Sequence, residues 1–398
     1  MTTPARRGRV LLAWELGDGL GHVGRLMPLA ARLEREGYAP VLAVRDPAQA
    51  LRVAAARRLP VLQAPYATPR GTRAAGFHAR SFADILAVIG YEDEERLRAM
   101  LRAWRDLARL VSPVLAVGDF SPTLALALRG SRIPVMLVGS GFALPPASAG
   151  SFPEVNPEGH AIADPARLAA SMRKASGAGA GATPAAMVSG DWQGACTWPL
   201  LDPYRALRVP PAIGPLGGAE AAGRAPGARG WFAYLSAEAP IAPAALDALA
   251  AMPVRGGIFL RDGSASQRAR LAAAGHEVHA RPPVLADCLR RARLAIHHGG
   301  VGTSETALAI GVPQLVLPRH LEQRLTGEAL AAAGVGGILR RAAVARDLVP
   351  RAMGMMEDAL LASRAQSVAR EVPRHPDPCE VAMSEARRLA AAAGAARR

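Results

Sequence analysis

The feature that most restricts this chain is a repeated alternation of two kinds of segment. Short runs rich in Val, Ile and Leu are each followed by a longer Ala, Leu and Arg stretch with apolar residues at helical spacing. Strands that are apolar on both faces need cover on both sides. A helix between two of them makes them run parallel, so the pattern reads as βαβ units. In the first half the strand candidates are Arg9–Leu16, Pro40–Arg45, Pro60–Ala64, Pro113–Gly118 and Pro134–Gly139. Leu26, Leu29, Ala30 and Leu33 share one face of the helical stretch Arg25–Glu36, which stops at Gly37. The low-complexity stretch Ser176–Thr183 reads as a surface loop, because another strand candidate, Ala186–Ser189, follows it. From Pro210 to Gly230, Pro, Gly and Ala crowd together and the apolar periodicity lapses. A second series then begins, with strand candidates Trp231–Leu235, Gly257–Leu260, Glu277–Ala280, Leu294–His297 and Gln314–Leu317.

The expected architecture is therefore α/β, with two Rossmann-like parallel-sheet domains, 1–215 and 228–375, joined by a linker at 216–227. Two such sheets facing a central cleft bind ligands at the carboxyl ends of their strands. A chain of 398 residues, half of them hydrophobic, can supply two cores.

The formal charge of +15 invites a nucleic-acid reading. Lys174 is the only lysine among the 48 basic residues, and the arginines are scattered along helices, as at Arg96, Arg98, Arg102, Arg105 and Arg109. Aromatic residues, at 4%, are too sparse for base-stacking platforms. The expectation is no nucleic-acid partner and at most peripheral contact with acidic membranes. No run of about 18 uncharged apolar residues occurs, and Met1–Arg9 lacks the apolar stretch of a secretory signal, so the cytoplasm is the expected location. Cys196, Cys288 and Cys379 are far apart and odd in number, which suggests neither a disulfide framework nor a zinc site.

The strongest motif is His297-His298-Gly299-Gly300-Val301-Gly302-Thr303-Ser304-Glu305, at the end of an apolar strand and the start of a helix. Glycines let a backbone approach an anion closely, and a helix N-terminus offers unpaired N–H groups and a positive dipole end. This is a diphosphate cradle: His298, Gly300, Gly302, Thr303 and Ser304 are its candidate contacts. A glycine-rich turn with an ordinary cap would account for Gly299 to Thr303, but not for two histidines.

The stretch Pro282–Gln323, above all HHGGVGTSETALAIGVPQLVLPRHLEQ, resembles the donor-binding signature of the nucleotide-sugar-dependent glycosyltransferases that include the UDP-glycosyltransferases and bacterial antibiotic glycosyltransferases. The match rests on His298, Gly311-Val312-Pro313, Pro318 and the pair Glu322-Gln323. The resemblance implies the GT-B fold, a UDP- or TDP-sugar donor and a small-molecule acceptor. It further implies transfer with inversion and no metal or other cofactor. It assigns Glu322 and Gln323 to sugar hydroxyls. It also implies that the C-terminal segment 376–398, helical over Asp377–Ala396, returns across the first domain.

Gly17-Asp18-Gly19-Leu20-Gly21-His22-Val23-Gly24-Arg25-Leu26 is similar to the family's N-terminal loop, with Gly19 and Gly21 in the loop itself. The family's general base is a His after the first strand, and His22 matches it. Imidazole suits the task because its ordinary pKa lies near working pH. Asp119 occupies the place of the carboxylate that orients the ring.

The same Gly19-Leu20-Gly21-His22-Val23-Gly24 also fits GxGxxG after a strand, with Asp46 closing the next strand as in an NAD-dependent oxidoreductase. That reading leaves residues 297–323 without a role, whereas glycosyl transfer accounts for both glycine clusters. Asp46 then reads as a helix cap before Pro47. A nucleotide-sugar epimerase and a non-catalytic sugar-nucleotide-binding protein of the same fold are further alternatives. Many plant members have a Trp where Ala280 stands, so uridine and thymidine donors are both open. Ser236-Ala237 stands where the family often has a Gly-Ser turn.

The acceptor is expected to meet loops 65–91 and 141–160. Their Phe77, Phe82, Phe142, Phe152, Arg70, Arg73 and Arg80 fit an apolar acceptor with an anionic group, and fit a solvated loop as well. Gly139-Ser140-Gly141 is no nucleophile elbow, His276 and His279 lack a carboxylate cluster, and Met353 and Met356 read as core.

Overall fold

Val10, Leu11, Leu12, Ala13 and Trp14 are all buried in β1 (Arg9–Trp14), as a strand covered on both faces requires. In the computed structural model, residues 7–17, 19–67, 78–217, 223–371 and 377–395 are described. Asp18, Arg70, Arg73, Phe77 and residues 218–222 of the expected linker lie outside them. The chain divides into two units, 1–218 together with 376–398, and 219–375.

The first unit adds β2 (Ala39–Val44), β3 (Val61–Gln63), β4 (Leu115–Asp119), β5 (Val135–Gly139) and β6 (Trp192–Ala195) to β1. The order is β3-β2-β1-β4-β5-β6, with every pair parallel. The order reverses between β1 and β4, so the crossovers there leave to opposite faces and open a crevice at the carboxyl ends. Register sets Trp14 opposite Asp119 at that point. The helix Gly21–Arg35 covers the sheet with Val23, Leu26, Leu29, Ala30 and Leu33, each worth about 1–3 kcal/mol of burial. It ends before Gly37, whose φ of 85° suits only glycine.

The helix Pro378–Ala395 belongs to the same unit. Its Cys379, Ala382, Met383, Ala386 and Leu389 join the core under β1 and β2. Arg32 ties its start at 2.5 Å to Asp377 and 3.1 Å to Glu380.

The charge pattern has a simple origin on the helix Glu94–Val111. Leu97, Leu101, Trp104, Ala108 and Val111 face inward, while Arg98, Arg102 and Arg109 pair with Glu94 and Asp106 outside. Such exposed pairs contribute little stability. Lys174 lies 3.9 Å from Glu94 and is 70% exposed.

The second unit repeats the winding with β7 (Trp231–Ser236), β8 (Gly257–Arg261), β9 (Glu277–His279), β10 (Leu294–His297), β11 (Gln314–Val316) and β12 (Gly336–Ile338). The order is β12-β11-β10-β7-β8-β9, again parallel, and the reversal lies between β7 and β10. Met355 and Met356 are in its core, with Met353 packed against them.

Two local expectations are corrected. Ala186–Ser189 does not form a strand: Thr183 caps a short helix, Pro184–Met187, by accepting from Ala186 N at 3.3 Å, and proline stands at its first turn. The sixth strands, β6 and β12, were not anticipated. No helix among the described residues is long and apolar enough to cross a membrane.

Glu15, directly after β1, is buried beneath the crevice and accepts from Thr123 N at 3.0 Å, while Thr123 Oγ1 bonds both Glu15 and the Tyr91 hydroxyl. Burial pushes its carboxyl up to about 8, against the opposing bonds from Thr123 and Leu124. A folded-state pKa raised from 4.5 means that this group's contribution to stability is full below pH 4.5 and is lost as pH rises through about 8. Glu15→Gln should therefore match the native chain in melting temperature at pH 5 and exceed it at pH 8.5. Thermal melts at both pH values check this, and equal melting temperatures at pH 8.5 would contradict it.

Candidate functional site

Each unit carries its candidate residues at its own strand-order reversal. In the first unit, Leu16 N donates to Phe120 O at 3.0 Å, and Gly17 turns the chain with φ 82°. Gly19 also has a positive φ, 92°, and Gly21 opens the helix that carries His22. Asp119, the last residue of β4, is fully buried and accepts from His22 Nδ1 at 2.9 Å. That bond leaves Nε2 as the imidazole's acceptor. A Cβ at position 17 would sit 2.4 Å from Nε2, so glycine keeps this edge of the ring open. Trp14 stacks on the ring at 5.5 Å, and Phe120 lies 6.0 Å away on a tilted plane. Arg45 Nη1 donates to Gly17 O at 2.6 Å and lies 5.3 Å over the Tyr66 ring, fixing the turn.

Arg25 was missed by the sequence reading. Its Nη1 donates to the other oxygen of Asp119 at 2.6 Å. Burial alone would raise the Asp119 carboxyl, but Arg25 and His22 together hold it below the usual carboxylate range. The available signal was spacing, since residues three apart on a helix share a face. Asp46, which the dinucleotide reading needs at a ribose, instead accepts from Gln49 N at 3.0 Å and caps the helix Pro47–Ala50.

In the second unit, Gly299 turns the chain after β10 with φ 84°, and a Cβ there would meet Gln323 O at 2.6 Å. Gly299 N donates to His297 Nδ1 at 2.9 Å. His297 Nε2 must then donate to Gln314 Oε1, 3.0 Å away, while Gln314 Nε2 donates to Ser304 O at 3.3 Å. Burial lowers His297 to about pKa 4, which keeps the ring neutral as these roles demand. His297 and Gln314 therefore brace the turn, a role that no local motif discloses.

His298 Nδ1 donates to Leu317 O at 2.9 Å, so Nε2 accepts from Ser236 N at 3.0 Å. Burial lowers it to about 4, and Arg319, Arg261 and His320 push it the same way against the Leu317 carbonyl. Both ring nitrogens thus hold backbone. The ring clamps the end of β7 to the loop, and in this arrangement it turns no N–H toward a ligand.

Gly300 is the cap residue of the helix Val301–Ile310, with Gly302 and Thr303 in its first turn. Ser304 is buried, and its Oγ has no hydrogen-bond partner among the described residues. At Gly300 and Gly302 nothing lies within 4 Å of an added Cβ, so packing does not require glycine there. Glu322 and Gln323 open the helix Leu321–Ala332, and Gln323 Oε1 accepts from Arg319 N at 2.9 Å. The structure thus places the glycine loop beside Gln323.

No group of three or more His, Cys, Asp or Glu suited to a metal occurs among the described residues. His276 packs edge-on against Trp231 at 4.9 Å, and His279 lies 3.9 Å from Cys288.

The glycines separate folding from function. Gly299→Ala should cost stability, about 1–3 kcal/mol, through a strained φ and the Gln323 contact. Gly302→Ala, inside a helix, should be neutral or stabilising by about 0.5–1 kcal/mol. Denaturant titration of both variants measures this, and a stable Gly299→Ala protein would show that the turn is not as described.

Residues 261–387 match the family described as Erythromycin biosynthesis protein CIII-like, C-terminal domain. Among curated relatives, Glycosyltransferase GtfC of Amycolatopsis orientalis is 48% identical over 46 residues, and Elloramycin glycosyltransferase ElmGT of Streptomyces olivaceus is 35% identical over 101. These stretches span 12% and 25% of this chain and only 11% and 24% of the relatives.

Solved structures agree over much greater lengths. The glycotransferase of kitacinnamycin superposes with TM-score 0.68 at 20% identity, covering 96% of this chain and 99% of that one. Glycosyltransferase VinC in complex with DTDP gives 0.65 at 17%, with coverage of 96% and 99%. Spinosyn rhamnosyltransferase SpnG, complexed with spinosyn aglycone, gives 0.61 at 18%, with 94% and 99%. At these identities the structures establish the fold, two parallel six-stranded sheets each flanked by helices. Residues 261–387 thus resemble the Erythromycin biosynthesis protein CIII-like C-terminal domain, and the two sheets have the GT-B fold of these glycosyltransferase structures.

Proposed function

We propose that this protein transfers a sugar from a UDP- or TDP-sugar to a hydroxyl of a small-molecule acceptor, inverting the anomeric carbon. The observation that carries the reading is the His22–Asp119 contact at the first unit's strand reversal, with Nε2 facing the side chain that Gly17 lacks. Nε2 accepts the acceptor's hydroxyl proton, and the oxygen attacks the anomeric carbon as its bond to the diphosphate breaks. Asp119 holds the ring and stabilises the imidazolium that forms.

The diphosphate is held by the second unit. The N-terminus of Val301–Ile310, opened by Gly300, supplies backbone N–H groups and a positive dipole end, with Gly302, Thr303 and Ser304 beside it. In this reading no divalent metal or other cofactor is needed, and Glu322 and Gln323 meet sugar hydroxyls. A thymidine diphosphate donor draws support from VinC, whose structure holds DTDP, and a small-molecule acceptor from SpnG, whose structure holds an aglycone.

The acceptor is apolar where it approaches His22. Phe120 is 5.8 Å from Phe82 and 6.3 Å from Phe142, and Phe82 is 5.4 Å from Phe152, which gives an aromatic wall behind the ring. Arg80 donates to Gly159 O at 3.4 Å and lies 3.8 Å from Glu154.

Turnover and binding test the two halves separately. His22→Ala should lower turnover about 10²–10⁴-fold while leaving diphosphate affinity intact, and Asp119→Asn added to it should cost little more. Anomeric configuration by NMR must show inversion. A retained configuration, or full turnover in His22→Ala when chemistry is rate-limiting, would remove His22 from this role. Donor incubated without acceptor distinguishes an epimerase by isomerised product. A non-catalytic binding protein would take donor and show no turnover with any acceptor. Calorimetry with thymidine and uridine diphosphates in EDTA checks the metal-free cradle: loss of binding on chelation would contradict it, and binding of NAD alone would favour an oxidoreductase.

A further inference from the structure

We propose that Arg25 is a positioning residue of the transfer reaction, its guanidinium bonding the second oxygen of Asp119 and offsetting the carboxylate charge that faces His22, so that Nε2 stays open to the acceptor's proton. The inference rests on the reading of His22 as the base. Its ground is the geometry of one carboxylate. Oδ1 accepts from His22 Nδ1 at 2.9 Å and Oδ2 from Arg25 Nη1 at 2.6 Å, two donors from successive turns of one helix.

The Asp119 side chain is fully buried and that of Arg25 is only 13% exposed. An ion pair this buried is weak evidence for stability, since desolvation offsets most of its attraction. Its effect on the neighbouring imidazole is more direct. A bare carboxylate against a histidine favours the imidazolium, and such a pair holds a proton well into the neutral range. With Arg25 present, the pair and its counter-charge sum to zero before the proton arrives and to one positive charge after it. Arg25 therefore offsets the charge that Asp119 presents to the ring, and Nε2 is the nitrogen left to accept.

The other ionisable groups on the surrounding elements reinforce this or turn away. Arg45, just past β2, donates to Gly17 O on the Nε2 side of the ring. Glu15 of the β1 end faces Thr123 and is neutral below about pH 8. Asp46 faces Gln49 N. Asp18 lies outside the described residues. Trp14 and Phe120 flank the ring itself.

The test compares Arg25→Gln, which keeps an N–H for Oδ2 and loses the charge, with Arg25→Lys, which keeps the charge. Two readouts are taken over the same pH range: the acid limb of kcat/KM, and the ring ¹⁵N shifts of His22 in histidine-labelled protein. The Gln variant should show both midpoints raised by about one pH unit or more, and the Lys variant should stay with the native chain. A Gln variant that titrates like the native protein overturns the proposal, as does a Lys variant that moves as far as Gln. Should the Gln variant not fold, the Lys variant decides alone, because a shift of a full unit with the charge retained is incompatible with it. The ring spectra need no turnover, so a shift in a protein that transfers no sugar would locate the failure in the proposed function and not in the coupling of Arg25 to the His22–Asp119 pair.

Discussion

A parallel sheet covered on both faces can meet solvent only at the ends of its strands, and only where neighbouring crossovers diverge is there room for a ligand. Both units obey this constraint with the same winding. In the first, the reversal lies between β1 and β4, which is why residues 97 positions apart share a hydrogen bond. In the second it lies between β7 and β10, which brings Ser236 to His298 across 62 positions. The polar residues at these ends are expensive to bury, and each unit offsets that cost differently.

In the first unit the solution is ionic. Asp119 is kept charged in a dry place by one cation and one imidazole, with Trp14 stacked on that imidazole and Phe120 tilted against it. In the second unit the solution is neutral. His297 and His298 are uncharged at physiological pH, and every ring nitrogen is matched with a backbone or amide group. The glycine loop is therefore shaped by hydrogen bonds within the protein itself.

The fold class was legible because long apolar strands carry their own signal. Two of the four edge strands were not: β6 is Trp-Gln-Gly-Ala and β12 is Gly-Gly-Ile, short glycine-bearing segments that become strands only by pairing with a neighbour's backbone. Ala186–Ser189 misled because an apolar run after a loop looks like a strand until the Thr183 cap and Pro184 are given their weight. Among site residues, glycine and histidine clusters advertise themselves in the sequence. Arg25 did not, since an arginine in an arginine-rich chain carries no information until its partner is seen. Gln314 escaped for the same reason, as its importance lies in what it holds and not in its type.

The helix Pro165–Ser176 bears Lys174, solvated and only loosely engaged by Glu94. In a chain whose other cationic side chains are all guanidinium groups, it is the sole side-chain amine. Acylating reagents that spare arginine thus have one addressable side chain in the whole sequence. A dye or surface tether attached through a side-chain amine therefore lands on this helix, remote in sequence from both glycine loops.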